Sequence, residues 1–135
     1  MAGNLPNSDR VMLVRGFLKV LEIEFENMVK DFGEILSNFN IAHWKILMSV
    51  WEHSGNITQT EAKKIISTLP KFQSDKTQRD LIKELSSAGM IIKTLDPKDE
   101  RRVILSIAND ALPKIERYIK GVERAILDYS NKLVN

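Results

Sequence analysis

The sequence contains no cysteine. That excludes a disulfide framework, a thiolate metal site, a nucleophilic thiol and thiol-based redox sensing. Its two histidines, His43 and His53, are too few for a histidine-rich metal site and do not share a His-x-x-x-His spacing. No glycine-rich phosphate loop and no serine-nucleophile motif is present, so neither an enzyme nor a cofactor is implied. No apolar run approaches the roughly 20 residues that a membrane-spanning helix needs. The first residues, MAGNLPNSDR, lack the apolar core of a signal peptide. The expectation is a protein of the reducing cytoplasm, with no membrane partner.

What is present is a chain of 135 residues, 43% apolar and 28% charged, a size and composition suited to one globular domain spanning 1–135. The net charge of +2 is unevenly spread. Residues 1–60 carry five basic against seven acidic side chains, whereas residues 61–102 carry ten against seven. A basic middle segment in an otherwise neutral chain is an electrostatic footprint suited to a polyanion.

Apolar periodicity divides the chain into elements. From Ser8, a candidate N-cap, to about Ser37, the residues Val14, Phe17, Leu18, Leu21, Phe25, Met28, Phe32, Ile35 and Leu36 recur at helical spacing. Val11, Met12, Leu13, Val20, Ile23 and Val29 widen that stripe beyond what one neighbour can cover, which predicts a second copy of the chain as partner. Asn40 is placed to cap a second helix whose inward side is read as Trp44, Leu47, Met48 and Trp51, with Ser54-Gly55-Asn56 as its stop. Thr58 and Glu61 form a capping-box pattern opening a short helix over roughly 59–68. Leu69-Pro70-Lys71-Phe72-Gln73 reads as a loop.

Ser74 or Asp75 begins the next helix, with Leu81, Ile82, Leu85 and Ala88 inward and Gly89 as its stop. Residues 90–95 and 102–107 have strand composition around the turn Asp96-Pro97-Lys98-Asp99-Glu100, giving a two-stranded hairpin. Asn109 or Asp110 then caps a last helix carrying Pro113 in its first turn and Leu112, Ile115, Ile119, Val122, Ile126 and Leu133 at helical spacing. Three helices, a hairpin and a flanking helix at each end make a mainly α, α+β winged-helix fold.

Three segments resemble the MarR family of dimeric winged-helix transcription regulators. They are Asp96-Pro97-Lys98-Asp99-Glu100-Arg101-Arg102, the stretch from Leu81 to Ile91, and Ile57-Thr58-Gln59-Thr60-Glu61-Ala62. The resemblance covers most of residues 8–128, with a longer turn around 69–73 and with Gln78 where the family pattern is apolar. It implies dimerisation helices at 8–37 and 109–134 flanking a DNA-binding lobe at 40–107. A recognition helix at 75–88 would enter the major groove of double-stranded DNA and a wing at 93–104 the minor groove. The implied function is a homodimeric sequence-specific regulator, of repressor type. A winged-helix protein–protein module and a plasmid or phage replication protein are the alternatives.

On that helix, Lys76, Thr77, Arg79, Asp80 and Lys83 are expected to be exposed. Arg79 suits bidentate readout of guanine, and Lys76, Thr77 and Lys83 suit phosphates. In the wing, Asp99 can hold Arg101 extended toward the minor groove, with Lys98 and Arg102 on phosphates. Lys63, Lys64 and Lys71 could extend the phosphate track or serve solubility alone. Family members often bind small aromatic or anionic effectors between the dimer helices and the DNA-binding lobe. His43, Trp44 and Phe17 are candidates for that role, but aromatics at helical spacing read more simply as core and His43 as a partly exposed helix residue, so no effector residue is assigned.

Overall fold

A computed structural model describes residues 5–134 of the chain. The first four residues of the stretch read for a signal peptide, the last residue of the 1–135 span and the Leu133 side chain lie outside the described residues. The elements in order are helix α1 (Asn7–Phe32), helix α2 (Ile41–Glu52), strand β1 (Ile57–Thr58), helix α3 (Gln59–Ile66), helix α4 (Asp75–Ser87), strands β2 (Ile91–Asp96) and β3 (Asp99–Ile107), and helix α5 (Leu112–Val134). A short 3-10 turn, Glu34–Leu36, lies between α1 and α2.

Helix α1 stops short of the expected 37. Gly33 has φ +107°, a conformation in which the helix cannot propagate and which favours glycine. Leu36 still reaches the core from the 3-10 turn, and so its spacing mimics a continuous helix. The N-cap position is taken by Pro6 without any side-chain cap; Ser8 lies inside the helix.

Asn40 does cap α2, its Oδ1 accepting the Ala42 N–H at 2.8 Å. Such a cap contributes about 1 kcal/mol. The buried side of α2 is Ala42, His43, Ile46, Leu47 and Val50, rotated from the expected Trp44–Trp51 stripe. Trp51 is exposed, and Trp44 is half-buried in an aromatic group with Phe25 and Phe39. The helix is apolar around most of its circumference, so periodicity alone left its inward face ambiguous.

The capping box is present as read. Thr58 Oγ1 accepts the Glu61 N–H, and Glu61 Oε1 accepts the Thr58 N–H, each at 3.1 Å. The same Thr58, with Ile57, pairs antiparallel to Leu105 and Ile104. Strand β1 therefore adds a third strand to the expected hairpin, giving the order β1-β3-β2. A two-residue strand is too short to show alternation in sequence.

Gly89, at φ +82°, ends α4 and turns the chain into β2, with the Met90 N–H reaching back to the Leu85 carbonyl at 3.1 Å. Helix α5 begins at Leu112, after a turn in which Ala111 and Leu112 both donate to the Ala108 carbonyl; the residue directly before it is Ala111, so the expected cap at Asn109 or Asp110 falls outside the N-cap position. Pro113 sits in the first turn, where its missing N–H costs nothing.

The core lies where α2, α3, α4 and the sheet converge, with Leu47, Ile66, Ile82, Leu85 and Leu105 all inaccessible. Each such side chain contributes about 1.5–3 kcal/mol by leaving water. Met28 from α1 and Ile115 and Tyr118 from α5 extend it toward the terminal helices. The outer half of α1 stays bare, with Val11, Met12, Val14 and Leu18 exposed, as are Ile126 and Leu127 on α5. No helix among the described residues is long and apolar enough to cross a membrane.

Candidate nucleic-acid interface

The first turn of α4 is held by Ser74, whose Oγ accepts the Thr77 N–H at 3.1 Å and donates to Thr77 Oγ1 at 2.8 Å. Leu81, Ile82 and Leu85 anchor the inner face, which turns Lys76, Arg79, Asp80 and Lys83 outward, as expected from the sequence. Thr77 departs from that expectation. It is half-buried, and its hydroxyl belongs to the cap.

The outward cations are organised by carboxylates. Asp75 Oδ2 lies 2.7 Å from Arg79 Nε, and its Oδ1 lies 2.6 Å from Lys63 Nζ on α3. Lys76 Nζ is 3.0 Å from Asp80. The hydrogen bond from Lys63 is the first cause of a lowered Asp75 pKa, with the Lys63 and Arg79 charges adding to it. Asp75 thus ties α3 to α4 and presents Arg79 in a fixed direction. The i,i+4 Asp75–Arg79 spacing is visible in the sequence, but the link from Asp75 to Lys63 on α3 is not. Lys63, one of the three lysines that could extend a phosphate track, is engaged by Asp75. Lys83 is exposed and forms no ion pair among the described residues.

The wing is a tighter hairpin than its five-residue turn suggested. Only Pro97 and Lys98 lie between β2 and β3, with Asp96 opposite Asp99. Asp96 Oδ1 accepts the Lys98 N–H at 2.9 Å, the side-chain turn that aspartate favours. At the tip, Asp99 Oδ1 accepts both the backbone N–H and the Nε of Arg101, each at 3.1 Å. Those two bonds, the side-chain one first, hold the Asp99 carboxyl below its ordinary pKa. The Arg101 side chain is 91% exposed, so the carboxylate fixes one edge of the guanidinium while the rest stands in solvent. Arg102 lies 3.8 Å from Asp96. Lys98 is exposed.

The aromatic candidates separate. Phe17 packs edge-on against Tyr129. His43 is buried, contrary to the expectation of partial exposure, because its Nε2 meets Glu84 of α4 at 2.6 Å. Trp44 alone among the three lines a cleft of about 610 Å³ between α2 and α5, with Ile41, Met48, Ile119, Val122 and Ile126.

No protein-family model matches the chain, and no curated protein sequence matches it. Solved structures do resemble it. A crystal structure of MarR shares 22% identity and a TM-score of 0.55, covering 87% of this chain and 82% of that one. The S. aureus MepR–DNA complex shares 15% identity and a TM-score of 0.61, covering 90% of each chain. PcaV from Streptomyces coelicolor, in complex with its natural ligand, shares 15% identity and a TM-score of 0.51, covering 86% of this chain and 73% of that one. The chain therefore has the MarR-like winged-helix fold, with five α-helices around a small three-stranded antiparallel sheet among the described residues.

Proposed function

We propose that this protein is a homodimeric transcription regulator, of repressor type, that binds double-stranded DNA in a sequence-specific manner. The observation that carries the reading is the wing tip. Arg101 is braced by Asp99 and otherwise exposed, on a hairpin that follows a helix with outward cations. An arginine held this way suits the narrow, electronegative minor groove. Helix 75–88 lies in the major groove, with Arg79 reading a base and Lys76 and Lys83 on phosphates. Lys98 and Arg102 add phosphate contacts beside the wing. Asp80, paired to Lys76, orients that lysine, and Thr77 acts through the cap.

The bare apolar faces of α1 and α5 support homodimerisation through residues 8–37 and 109–134, leaving 40–107 as the DNA-binding lobe. Two such lobes would present their recognition helices roughly 34 Å apart, one helical turn of DNA. Repression then follows from occupancy, by excluding a competitor from the site, and requires no chemistry from the protein. The resembling MepR structure is a DNA complex and the PcaV structure a ligand complex. With the apolar α2–α5 cleft, the latter supports a small-molecule effector as a further partner.

The pairing of Lys63, Lys76 and Arg79 with Asp75 and Asp80 favours one other reading, a winged-helix module for protein partners. Selection from random duplexes separates the two. Enrichment of paired half-sites is expected, with Arg79→Ala relaxing preference at one base position and Lys83→Ala weakening all sequences alike. Failure of the folded wild-type protein to enrich any duplex would leave the protein-partner reading.

A further inference from the structure

The imidazole of His43 is inaccessible to solvent, yet both of its nitrogens are engaged. Nδ1 accepts the backbone N–H of Asn40 at 3.1 Å. A backbone N–H can only donate, so Nδ1 carries no proton and the ring is neutral with its proton on Nε2. Nε2–H therefore donates to Glu84 Oε2, at 2.6 Å, across 41 positions of sequence. One face of the ring stacks on Phe39, centroids 5.1 Å apart and planes within 20°. The cap of α2, the aromatic group beneath α1 and the exposed-face helix α4 thus meet at a single ring.

We propose that His43 is a positioning residue for α4, fixing the rotation of that helix about its own axis through Glu84. The inference rests on the reading of α4 as the DNA-facing helix. Glu84 is one position from Lys83 and five from Arg79, so any roll of α4 that carries Glu84 away from His43 redirects both. Burial of Leu81, Ile82 and Leu85 sets which face of α4 points inward, but dispersion and burial have no direction with which to fix its exact roll. A hydrogen bond from a fixed ring to a carboxylate at the edge of the helix does have one. The Asn40 bond and the Phe39 stack in turn keep the ring from following the helix.

Four substitutions separate this role from a merely structural one. Glutamine at 43 reproduces the Nε2 donor and asparagine the Nδ1 acceptor. Consequently His43→Gln is expected to lose stability through the α2 cap but to keep duplex affinity. His43→Asn is expected to keep the cap and to bind operator on the order of tenfold more weakly. Glu84→Ala and Glu84→Gln both remove a negative charge from the half-exposed edge of α4, so they share any electrostatic gain in DNA affinity. Only Glu84→Gln retains an acceptor for His43, and it is expected to bind tighter than Glu84→Ala on the order of tenfold.

Two measurements stand apart from DNA. Imidazole ¹⁵N spectra of the wild-type protein are expected to show a bare Nδ1 and a protonated Nε2. Residual dipolar couplings are expected to report a rotated α4 in Glu84→Ala and an unmoved one in Glu84→Gln. The opposite tautomer or a charged ring would overturn the hydrogen-bond assignment. Identical α4 orientation in both Glu84 variants would overturn the positioning role, even with the DNA reading intact. A wild-type protein that binds no duplex but shows the expected couplings would retain the positioning role and overturn only the DNA reading.

Discussion

Gln78 Nε2 donates to the backbone carbonyl of Phe72 at 2.9 Å, joining the first turns of α4 to the long loop before it. Gln78 is buried, at a position where the resembling family pattern is apolar. The departure and the longer loop explain one another. The loop around 69–73 turns the Phe72 carbonyl toward α4, where the Gln78 amide satisfies it. Gln78→Leu is expected to destabilise the protein by about 1 kcal/mol, the cost of losing a hydrogen bond to a half-buried acceptor. Urea denaturation gives the loss, and amide exchange should localise it to the 67–73 loop.

That loop also holds Lys71 at φ +73°, the single non-glycine residue with positive φ among those described. A side chain in this region costs roughly 1–2 kcal/mol that glycine avoids, less the extra entropy that glycine loses on folding. Lys71→Gly is therefore expected to raise the melting temperature relative to Lys71→Ala. The two variants lose the same charge, so their duplex affinities should fall together if Lys71 touches phosphate. Equal melting temperatures would contradict the strained conformation.

Tyr118 joins the terminal helices. Its hydroxyl donates to the Asp31 carboxylate, with the Asn27 carbonyl 3.2 Å away. Burial, then the hydrogen bond to Asp31, pushes the phenol up to about 12. The same hydroxyl is the first cause holding Asp31 below its ordinary value of 3.8. The signs are opposite at the two ends of the pH scale. Stability linked to the raised phenol is full below its ordinary value of 10.0 and fades as pH rises toward about 12. Stability linked to the depressed carboxylate is present above 3.8 and fades as pH falls through the lower folded value. Tyr118→Phe should cost about 1 kcal/mol at neutral pH, flatten the alkaline limb and shrink the acid one. Thermal denaturation across pH tests all three.

On α1, Val11, Val14 and Leu18 follow one another at helical spacing and are exposed. Leu18→Glu places a charge on the face assigned to the second copy and is expected to convert a dimer into a folded monomer. Sedimentation measures the mass and circular dichroism the fold. A wild-type monomer, or a Leu18→Glu dimer as tight as wild type, would remove α1 from the interface.

Much of the fold was legible because its boundaries are set by local chemistry. The Thr58–Glu61 box, the Asn40 and Ser74 caps and the Gly89 stop are each carried by side chains within a few residues of the groups they satisfy. What escaped was non-local or too short. Strand β1 exists only through its pairing with β3. The burial of His43 depends on Glu84, 41 positions away. The inward face of α2 could not be read from a helix apolar on most sides. Among the candidate site residues, the Asp99–Arg101 brace was readable from two-residue strand spacing, whereas the hold of Asp75 on both Lys63 and Arg79 required the packing of α3 against α4.

The most direct test is a fluorescence-anisotropy titration of the purified protein against random duplex DNA over a range of salt concentrations, with Arg101→Ala alongside. Each phosphate neutralised steepens the dependence of log affinity on log salt by about 0.9. The expected result is a steep linear fall for the wild type. Arg101→Ala should bind more weakly, with a slope shallower by about one such increment if its guanidinium neutralises a phosphate charge. A folded wild-type protein with no duplex affinity at low salt, or one that Arg101→Ala leaves unchanged, would contradict DNA binding through the wing.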